Sequence, residues 1–250
     1  MGLIRNADDF GKNESVNRAI QTCFQKGYID RTTLMVNMPD AAQAVEIAKK
    51  EGFFDRVGIH LNLTEGMPLT QPIRSNPLLC DATGRFHAAF RQTTKYRLYM
   101  DQLSEEQIFT ELDAQLQQYA NWGFPLFHVD SHHHVHTDVP VYGVLKKLSR
   151  KYRFSSVRLS RNLYRGGNPL TRIYKGFYNR SVARLCDTTT DLFGSFEDLT
   201  GYGTWEQNRI LCEKKQIEIM LHPMYDAQDR LVDTQRPMDE VQDYLNRVRN

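Results

Sequence analysis

The fold class follows first from residues 2–37, which read GLIRNADDFGKNESVNRAIQTCFQKGYIDRTTLMVN. Residues 2–7 are a short, largely apolar run that predicts a strand, and residues 14–26 have helical patterning that ends at Gly27. Residues 32–37 predict a second strand. A strand, a helix and a strand in this order predict a βαβ unit with parallel strands.

The same alternation continues along the chain. We predict five more strands, at residues 57–63, 126–131, 156–159, 189–193 and 217–221. Helices are predicted between them and at residues 239–249, with Ser104 and Gln107 as a capping box at the start of the helix 104–122. Seven strands in this pattern predict an α/β fold, either a closed or nearly closed barrel or a doubly wound sheet.

One domain over residues 1–250 is the economical interpretation, because we find no repeat, low-complexity segment or linker-like change of composition. A long loop insertion around residues 64–103 holds three of the nine prolines. Loops of this length are usually functional or contain small elements of their own. We therefore expect the loop to line a substrate cleft.

Composition excludes several classes of protein. The formal net charge of +2 selects for neither nucleic acid nor an anionic membrane, and no apolar run is long enough to cross a bilayer. The first nine residues contain two aspartates and no apolar stretch, so we expect no signal peptide. The four cysteines form no close pair, which favours buried thiols in a reducing compartment. A cytoplasmic protein is expected.

Ionisable residues lie where the predicted strands end. They are Asp8 and Asp9 after the first strand, His60 late in the third, residues 128–136 (HVDSHHHVH) at the fourth, Arg158 in the fifth, and His222 after the last. The carboxyl ends of parallel strands meet at one edge of a sheet, where ligands bind. We expect these side chains to meet at one rim.

A divalent metal ion would explain the Asp8–Asp9 pair. The two residues could instead cap a helix, but adjacent carboxylates repel unless a cation lies beside them. With an ion present, one carboxylate binds it and the other is free to take a proton from water. A lone His60 would more often be a core residue, yet its place at the same rim favours a ligand. One Asp and two His suit Zn²⁺, Mn²⁺, Fe²⁺ or Co²⁺, with Mg²⁺ also compatible.

The histidine cluster at residues 132–136 could be a surface tract, although an affinity tag would lie at a terminus. Extended alternation would send Asp130, His132 and His134 to one face of the strand and Ser131 and His133 to the other. We expect one or two of these histidines to bind metal.

Two further residues have open roles. His222, followed by Pro223, could belong to a turn or could donate a proton to a leaving group. Arg158 could orient a carboxylate or substrate oxygens, or could pair with an acid such as Asp8.

Four motifs resemble the YdjC family of carbohydrate deacetylases, which includes the chitooligosaccharide deacetylases. They are NADDFG at residues 6–11, GIHLNLT at 58–64, HVDSHHHVH at 128–136 and His222-Pro223. The resemblance implies a TIM-barrel-like (β/α) barrel of about seven parallel strands, related to the polysaccharide deacetylases. It also implies one divalent metal ion, Mg²⁺ or Zn²⁺, and removal of N-acetyl groups from oligosaccharides that contain N-acetylglucosamine.

The resemblance also implies roles for individual residues. Asp9, His60 and His132 would be the metal ligands, Asp8 the general base and His222 the general acid.

Three more residues, His134, His136 and Arg158, are the candidates for substrate contact. The expected partner is a small oligosaccharide, and a homodimer is expected from the family. Four aromatic residues of the loop could stack on sugar faces or belong to the core, namely Phe86, Phe90, Tyr96 and Tyr99.

Two other functions are compatible with the same ligands. One is a metal-dependent hydrolase of another amide or of a phosphoester. The other is a non-catalytic sugar- or metal-binding module, which would need no free carboxylate beside the ligands, so the presence of Asp8 speaks against it.

Overall fold

The first βαβ unit has the predicted form in the computed structural model, which describes residues 2–125, 127–166 and 168–249. Strand β1 (Gly2–Phe10) is followed by helix α1 (Glu14–Gln25) and strand β2 (Arg31–Leu34), and β2 pairs with β1 in parallel. The side chain of Asn13 caps α1 by accepting a hydrogen bond from the backbone of Val16.

The remaining elements continue this pattern. The strands are β3 (Val57–Leu61), β4 (His128–Ser131), β5 (Phe154–Val157), β6 (Cys186–Thr188), β7 (Leu192–Ser195), β8 (Gln216–Leu221), β9 (Pro223–Tyr225), β10 (Leu231–Asp233) and β11 (Arg236–Pro237). The helices are α2 (Ala41–Lys50), α3 (Gln71–Arg74), α4 (Thr94–Leu98), α5 (Gln102–Asn121), α6 (Val139–Tyr152), α7 (Pro169–Val182), α8 (Phe196–Tyr202), α9 (Trp205–Lys214) and α10 (Met238–Arg249). Short 3₁₀ helices span Phe54–Arg56, Ala89–Gln92 and His132–Thr137.

Eight parallel strands form one curved sheet in the order β6-β5-β4-β3-β2-β1-β8-β7. Neighbours in space follow one another in sequence, and β1 joins β8, which is the order of a (β/α) barrel and not of a doubly wound sheet. Within the described ranges the ladder begins at β6 and ends at β7, so the sheet is a half-barrel. The TIM-barrel-like prediction is confirmed, with eight strands because the predicted strand 189–193 is replaced by β6 and β7.

The central strands are buried on both faces. All five residues of β3 are buried, as are all four of β4. Helices cover the outer face of such a sheet, and the inner face carries the polar residues described below.

Some details differ from the predictions. The capping box at Ser104 is wrong, since α5 begins at Gln102 and the side chain of Asp101 accepts the Ser104 N–H at 2.9 Å. Of the predicted strand 126–131, Leu126 lies outside the described residues. A small antiparallel sheet of β9, β10 and β11 follows β8 and was not predicted.

The loop insertion contains α3, a 3₁₀ turn and α4, and Ala88 and Arg91 from it line the main cavity. Phe86 and Phe90 are buried in the core, so they cannot stack on a sugar in this structure. No helix in the described part of the chain combines the length and the apolar character that crossing a bilayer requires.

Candidate metal centre and active site

A β-bulge in β1 brings two adjacent carboxylates to the rim. The register of β1 against β2 shifts between Ala7 and Phe10, so Asp8 and Asp9 together oppose the single residue Thr33. Asp9 has a φ of 70°, in the left-handed region that side chains seldom adopt. Regular alternation would send the two carboxylates to opposite faces, whereas the bulge lets both line one cavity.

Asp9 lies between two imidazoles. Its Oδ1 is 2.8 Å from Nδ1 of His132 and 3.2 Å from Nε2 of His60. One oxygen and two nitrogens from these residues all lie within 4.8 Å of one another. The predicted ligand set is therefore brought together from β1, β3 and the end of β4.

A buried carboxylate holds His60 in place. Nδ1 of His60 is 2.7 Å from Oδ1 of Asp130, and Thr33 Oγ1 donates to the other oxygen of Asp130 at 3.0 Å. This leaves Nε2 of His60 facing Asp9. A carboxylate behind an imidazole is the usual support of a metal-binding histidine.

The electrostatics of this group favour positive charge. Burial alone would raise the pKa of Asp9, but hydrogen bonds from His132 and His60 hold it well below its usual range. Burial alone would lower the pKa of His60, but the charge of Asp130 raises it to about 10. A field that favours an imidazolium also favours a divalent cation, and two imidazoles with one carboxylate are donors that such ions accept. The residues fit a divalent metal ion.

Two other groups of ligand-type side chains share Asp130, one with Asp8 and one with Glu218. In both, the guanidinium of Arg158 already binds the carboxylates, at 2.6 Å to Asp8, 2.8 Å to Asp130 and 2.6 Å to Glu218. A fixed positive charge at this distance repels a second cation. The group around Asp9 is therefore the candidate metal centre.

Asp8 is held on both oxygens. Arg158 donates to Oδ2 at 2.6 Å and to Oδ1 at 2.7 Å, and Asn6 Nδ2 donates to Oδ1 at 2.7 Å. Burial alone would raise the pKa of Asp8, but the charge of Arg158 lowers it below the usual range. Asp8 is thus ionised and oriented where it lines the cavity.

Arg158 itself has no exposed surface. Of the interpretations left open for it, pairing with acids is the one observed, so we do not retain it as a substrate contact.

The histidine cluster is not an extended strand, so the predicted alternation of faces is wrong. His133 and His134 both have left-handed φ angles, 52° and 56°, which turn the chain sharply after β4. As a result His132, His133 and His134 all line the cavity. His136 is buried with its Nδ1 2.6 Å from Ser131 Oγ, so the structure does not place it as a substrate contact.

All five predicted catalytic and metal residues line one cavity of about 570 Å³, namely Asp8, Asp9, His60, His132 and His222. Its volume lies within the range of small-molecule sites. The backbone N–H of His222 donates to Oδ1 of Asp233 at 2.7 Å, which ties the residue after β8 to the small antiparallel sheet.

Sequence reasoning missed several charged residues of the site. Lys12, Arg91 and Arg161 line the cavity, and Glu65 Oε2 lies 3.0 Å from Nε2 of His132 and 2.9 Å from Nζ of Lys12. Glu65 directly follows the third-strand motif, and that adjacency was the available signal. Nothing comparable in the sequence marked Arg91 or Arg161.

The chain is similar in sequence to proteins named carbohydrate deacetylase. A carbohydrate deacetylase from Halalkalibacterium halodurans is 34% identical over 227 residues, covering 90% of this chain and 86% of that protein. A carbohydrate deacetylase from Brevibacillus brevis is 39% identical over 153 residues, covering 61% of this chain and 57% of that protein.

A solved structure and a family model extend the match. A candidate cellobiose-phosphate cleavage protein from Enterococcus faecalis V583 superposes with a TM-score of 0.68 at 24% identity, covering 99% of this chain and 90% of that one. At this identity the likeness shows the fold alone. The family model described as YdjC-like protein matches residues 2–249. The chain belongs to the YdjC-like protein family.

Proposed function

We propose that the protein is a metal-dependent carbohydrate deacetylase that removes N-acetyl groups from oligosaccharides containing N-acetylglucosamine. The observation that carries the proposal is a single cavity with three kinds of lining group. They are the three residues that could hold a metal ion, the separate carboxylate of Asp8 and the imidazole of His222. The names of the relatives from Halalkalibacterium halodurans and Brevibacillus brevis support a sugar as the substrate class.

Asp9, His60 and His132 would hold one divalent ion, Zn²⁺ or Mg²⁺, and the two imidazoles favour Zn²⁺. When bound, such an ion supplies Lewis acidity, which polarises the acetamide carbonyl and lowers the pKa of coordinated water. Asp130 binds Nδ1 of His60 and so leaves Nε2 as the nitrogen that would hold the ion.

Asp8 would act as the general base. It stays ionised because Arg158 and Asn6 donate to its oxygens, and it lines the cavity beside Asp9. As water adds to the acetamide carbon, Asp8 takes one proton from it. Because its hydrogen bonds fix the orientation of the carboxylate, the proton transfer does not incur the entropic cost of orienting it.

His222 would act as the general acid. When the bond between the carbonyl carbon and the nitrogen breaks, the amine needs a proton, and the imidazolium of His222 supplies it. Acetate and the free amine of the sugar are the products. His134, which lines the same cavity, is the remaining candidate for contact with the sugar.

Acetate release tests the proposal. Purified protein, stripped with a chelator and reloaded with Zn²⁺ or Mg²⁺, is incubated with di-N-acetylchitobiose, and acetate and free amine are measured together. We expect equal amounts of both products, produced only by the metal-loaded protein. Release of phosphate from a sugar phosphate without acetate from any N-acetylated sugar would replace this proposal by a phosphoester hydrolase. Metal binding without turnover of either substrate would favour a binding module.

A further inference from the structure

We propose that Glu218 is a positioning residue for the base Asp8, acting through Arg158 within a closed ring of hydrogen bonds beneath the cavity. The inference rests on the proposed function, because it assigns Glu218 to the same reaction. Glu218 lies in β8 and is 1% exposed, so it cannot touch substrate itself.

The first half of the ring runs from Asp8 to Glu218. The guanidinium of Arg158 donates through both terminal nitrogens to Asp8, and through Nε to Oε1 of Glu218 at 2.6 Å. The planar guanidinium therefore has Asp8 and Asp130 at its terminal nitrogens and Glu218 on its Nε side. Two fixed edges define the plane of the group, and that plane sets the plane of the Asp8 carboxylate.

The second half returns to Asp8 by a different path. Arg31 Nη2 donates to Oε2 of Glu218 at 2.6 Å, and Arg31 Nε donates to Oδ1 of Asn6 at 2.9 Å. Asn6 Nδ2 then donates to Oδ1 of Asp8 at 2.7 Å. We call these five residues the carboxylate ring: Asp8, Arg158, Glu218, Arg31 and Asn6.

Positioning explains this arrangement better than stability does. A buried ion pair is weak evidence for stability, because desolvation offsets much of the attraction and well-packed apolar residues often do as well. Glu218 is buried between apolar neighbours of β8, Ile217 and Ile219, yet both of its oxygens are used on guanidinium groups. The only carboxylate of the carboxylate ring that lines the cavity is Asp8.

Loss of Glu218 would remove the acceptor of the Arg158 Nε–H. The Nε–H would then be buried without its acceptor, and the guanidinium would turn to find another partner. Arg158 would still be attracted by Asp8 and Asp130, so the base would remain paired but misaligned. Misplacement of a catalytic group by about 1 Å costs on the order of 100-fold in rate.

The test compares Glu218→Gln, Glu218→Ala and Arg31→Gln with the wild type, after the wild type has been shown to release acetate from di-N-acetylchitobiose. Glu218→Gln keeps the shape of the side chain, and Arg31→Gln changes the more exposed end of the carboxylate ring, so at least one variant should fold. For each protein kcat, KM, Zn²⁺ affinity and the thermal midpoint are measured.

Asp30→Asn is the matched control. Asp30 accepts hydrogen bonds from Nε and Nη2 of Arg5 at 3.1 and 3.0 Å. The Asp30→Asn substitution therefore removes the same kind of carboxylate from a guanidinium that does not line the cavity. It should lower the thermal midpoint and leave kcat unchanged.

We expect kcat to fall on the order of 100-fold in the Glu218 variants, with KM and Zn²⁺ affinity near the wild-type values. The Arg31 and Glu218 substitutions should be non-additive in kcat when combined, because the two residues are in direct contact within the carboxylate ring. Wild-type kcat in Glu218→Gln, or losses of kcat and of Zn²⁺ affinity in equal proportion, would overturn the proposal.

A crystal structure of Glu218→Ala gives a readout that does not depend on turnover. We expect the Arg158 guanidinium to be rotated relative to Asp8, and an unmoved pair would overturn the inference. A wild type that releases no acetate would instead count against the proposed function, so the two failures are distinguishable.

Discussion

Replacing Asp8 with Asn should separate metal binding from catalysis. The substitution keeps the size of the side chain but removes the charge that accepts the proton. General base catalysis contributes about 10²- to 10⁴-fold to the rate, so we expect kcat to fall by that factor, or by about 3 to 5 kcal/mol of activation free energy. The ligand atoms of Asp9 and its two histidines do not depend on Asp8, so metal content should stay at the wild-type value.

The contacts of Asp8 also limit how much the Asp8→Asn substitution lowers the free energy of unfolding. Three buried carboxylates, Asp8, Asp130 and Glu218, face the guanidinium groups of Arg158 and Arg31. With Asn at position 8, Arg158 keeps Asp130 and Glu218 as acidic partners and Arg31 keeps Glu218, so neither guanidinium is left without a carboxylate. We expect the free energy of unfolding to fall by about 1 to 3 kcal/mol, the cost of hydrogen bonds to one charged group.

For a chain of this size that loss lowers the thermal midpoint by about 2 to 12 °C. The assay measures acetate release under saturating Zn²⁺ on the folded variant, with metal stoichiometry by mass spectrometry and thermal unfolding on the same sample. A variant that binds one equivalent of metal and turns over within a few-fold of the wild type would remove Asp8 as the base.

Other substitutions test the remaining parts of the site and of the sheet. Asp9→Ala should abolish both metal content and acetate release; full metal occupancy would refute its assignment as a ligand. His222→Ala should reduce hydrolysis of the N-acetyl sugar by about 10²-fold or more but affect an aryl acetate much less, because a good leaving group needs no proton; equal losses on both substrates would argue against an acid. Asp130→Asn should weaken Zn²⁺ binding about 10- to 100-fold by calorimetry, since it supports His60; unchanged affinity would show that this support is dispensable. Gly58→Ala should cost about 1 to 3 kcal/mol of unfolding free energy in chemical denaturation, because a Cβ there would lie 2.8 Å from a backbone oxygen of β4; a wild-type midpoint would mean that the strands can separate freely.

Much of the fold and the ligand set follows from the sequence. Helices α6 and α9 have the predicted bounds, because helical periodicity and their flanking residues are local signals. The rule that parallel strands end at one edge predicts that Asp8 and Asp9, His60 and the histidine cluster meet at one rim. The family resemblance then implies Asp9, His60 and His132 as the ligands. That rule needs only the order of strands along the chain, which the pattern of apolar runs supplies.

The tertiary structure decided how those side chains are oriented. The bulge that turns both Asp8 and Asp9 toward the cavity depends on the register between β1 and β2, and register is not visible in either strand alone. The left-handed turn at His133 and His134 overrode the expected alternation for the same reason, since local patterning assumes regular backbone.

The partners of Asp8 were decided by contacts between distant parts of the chain. Arg158 lies 150 residues from Asp8 and 60 from Glu218. Pairing of β1 with β8 brings Asp8 and Glu218 together, and Arg158, which follows β5, reaches both across the inner face of the curved sheet. The sequence by itself determined which residue types reach the rim, because strand order and apolar patterning are carried along the chain. Only the tertiary structure decided which of them pair, because buried charges select partners by distance in space and not by separation in sequence.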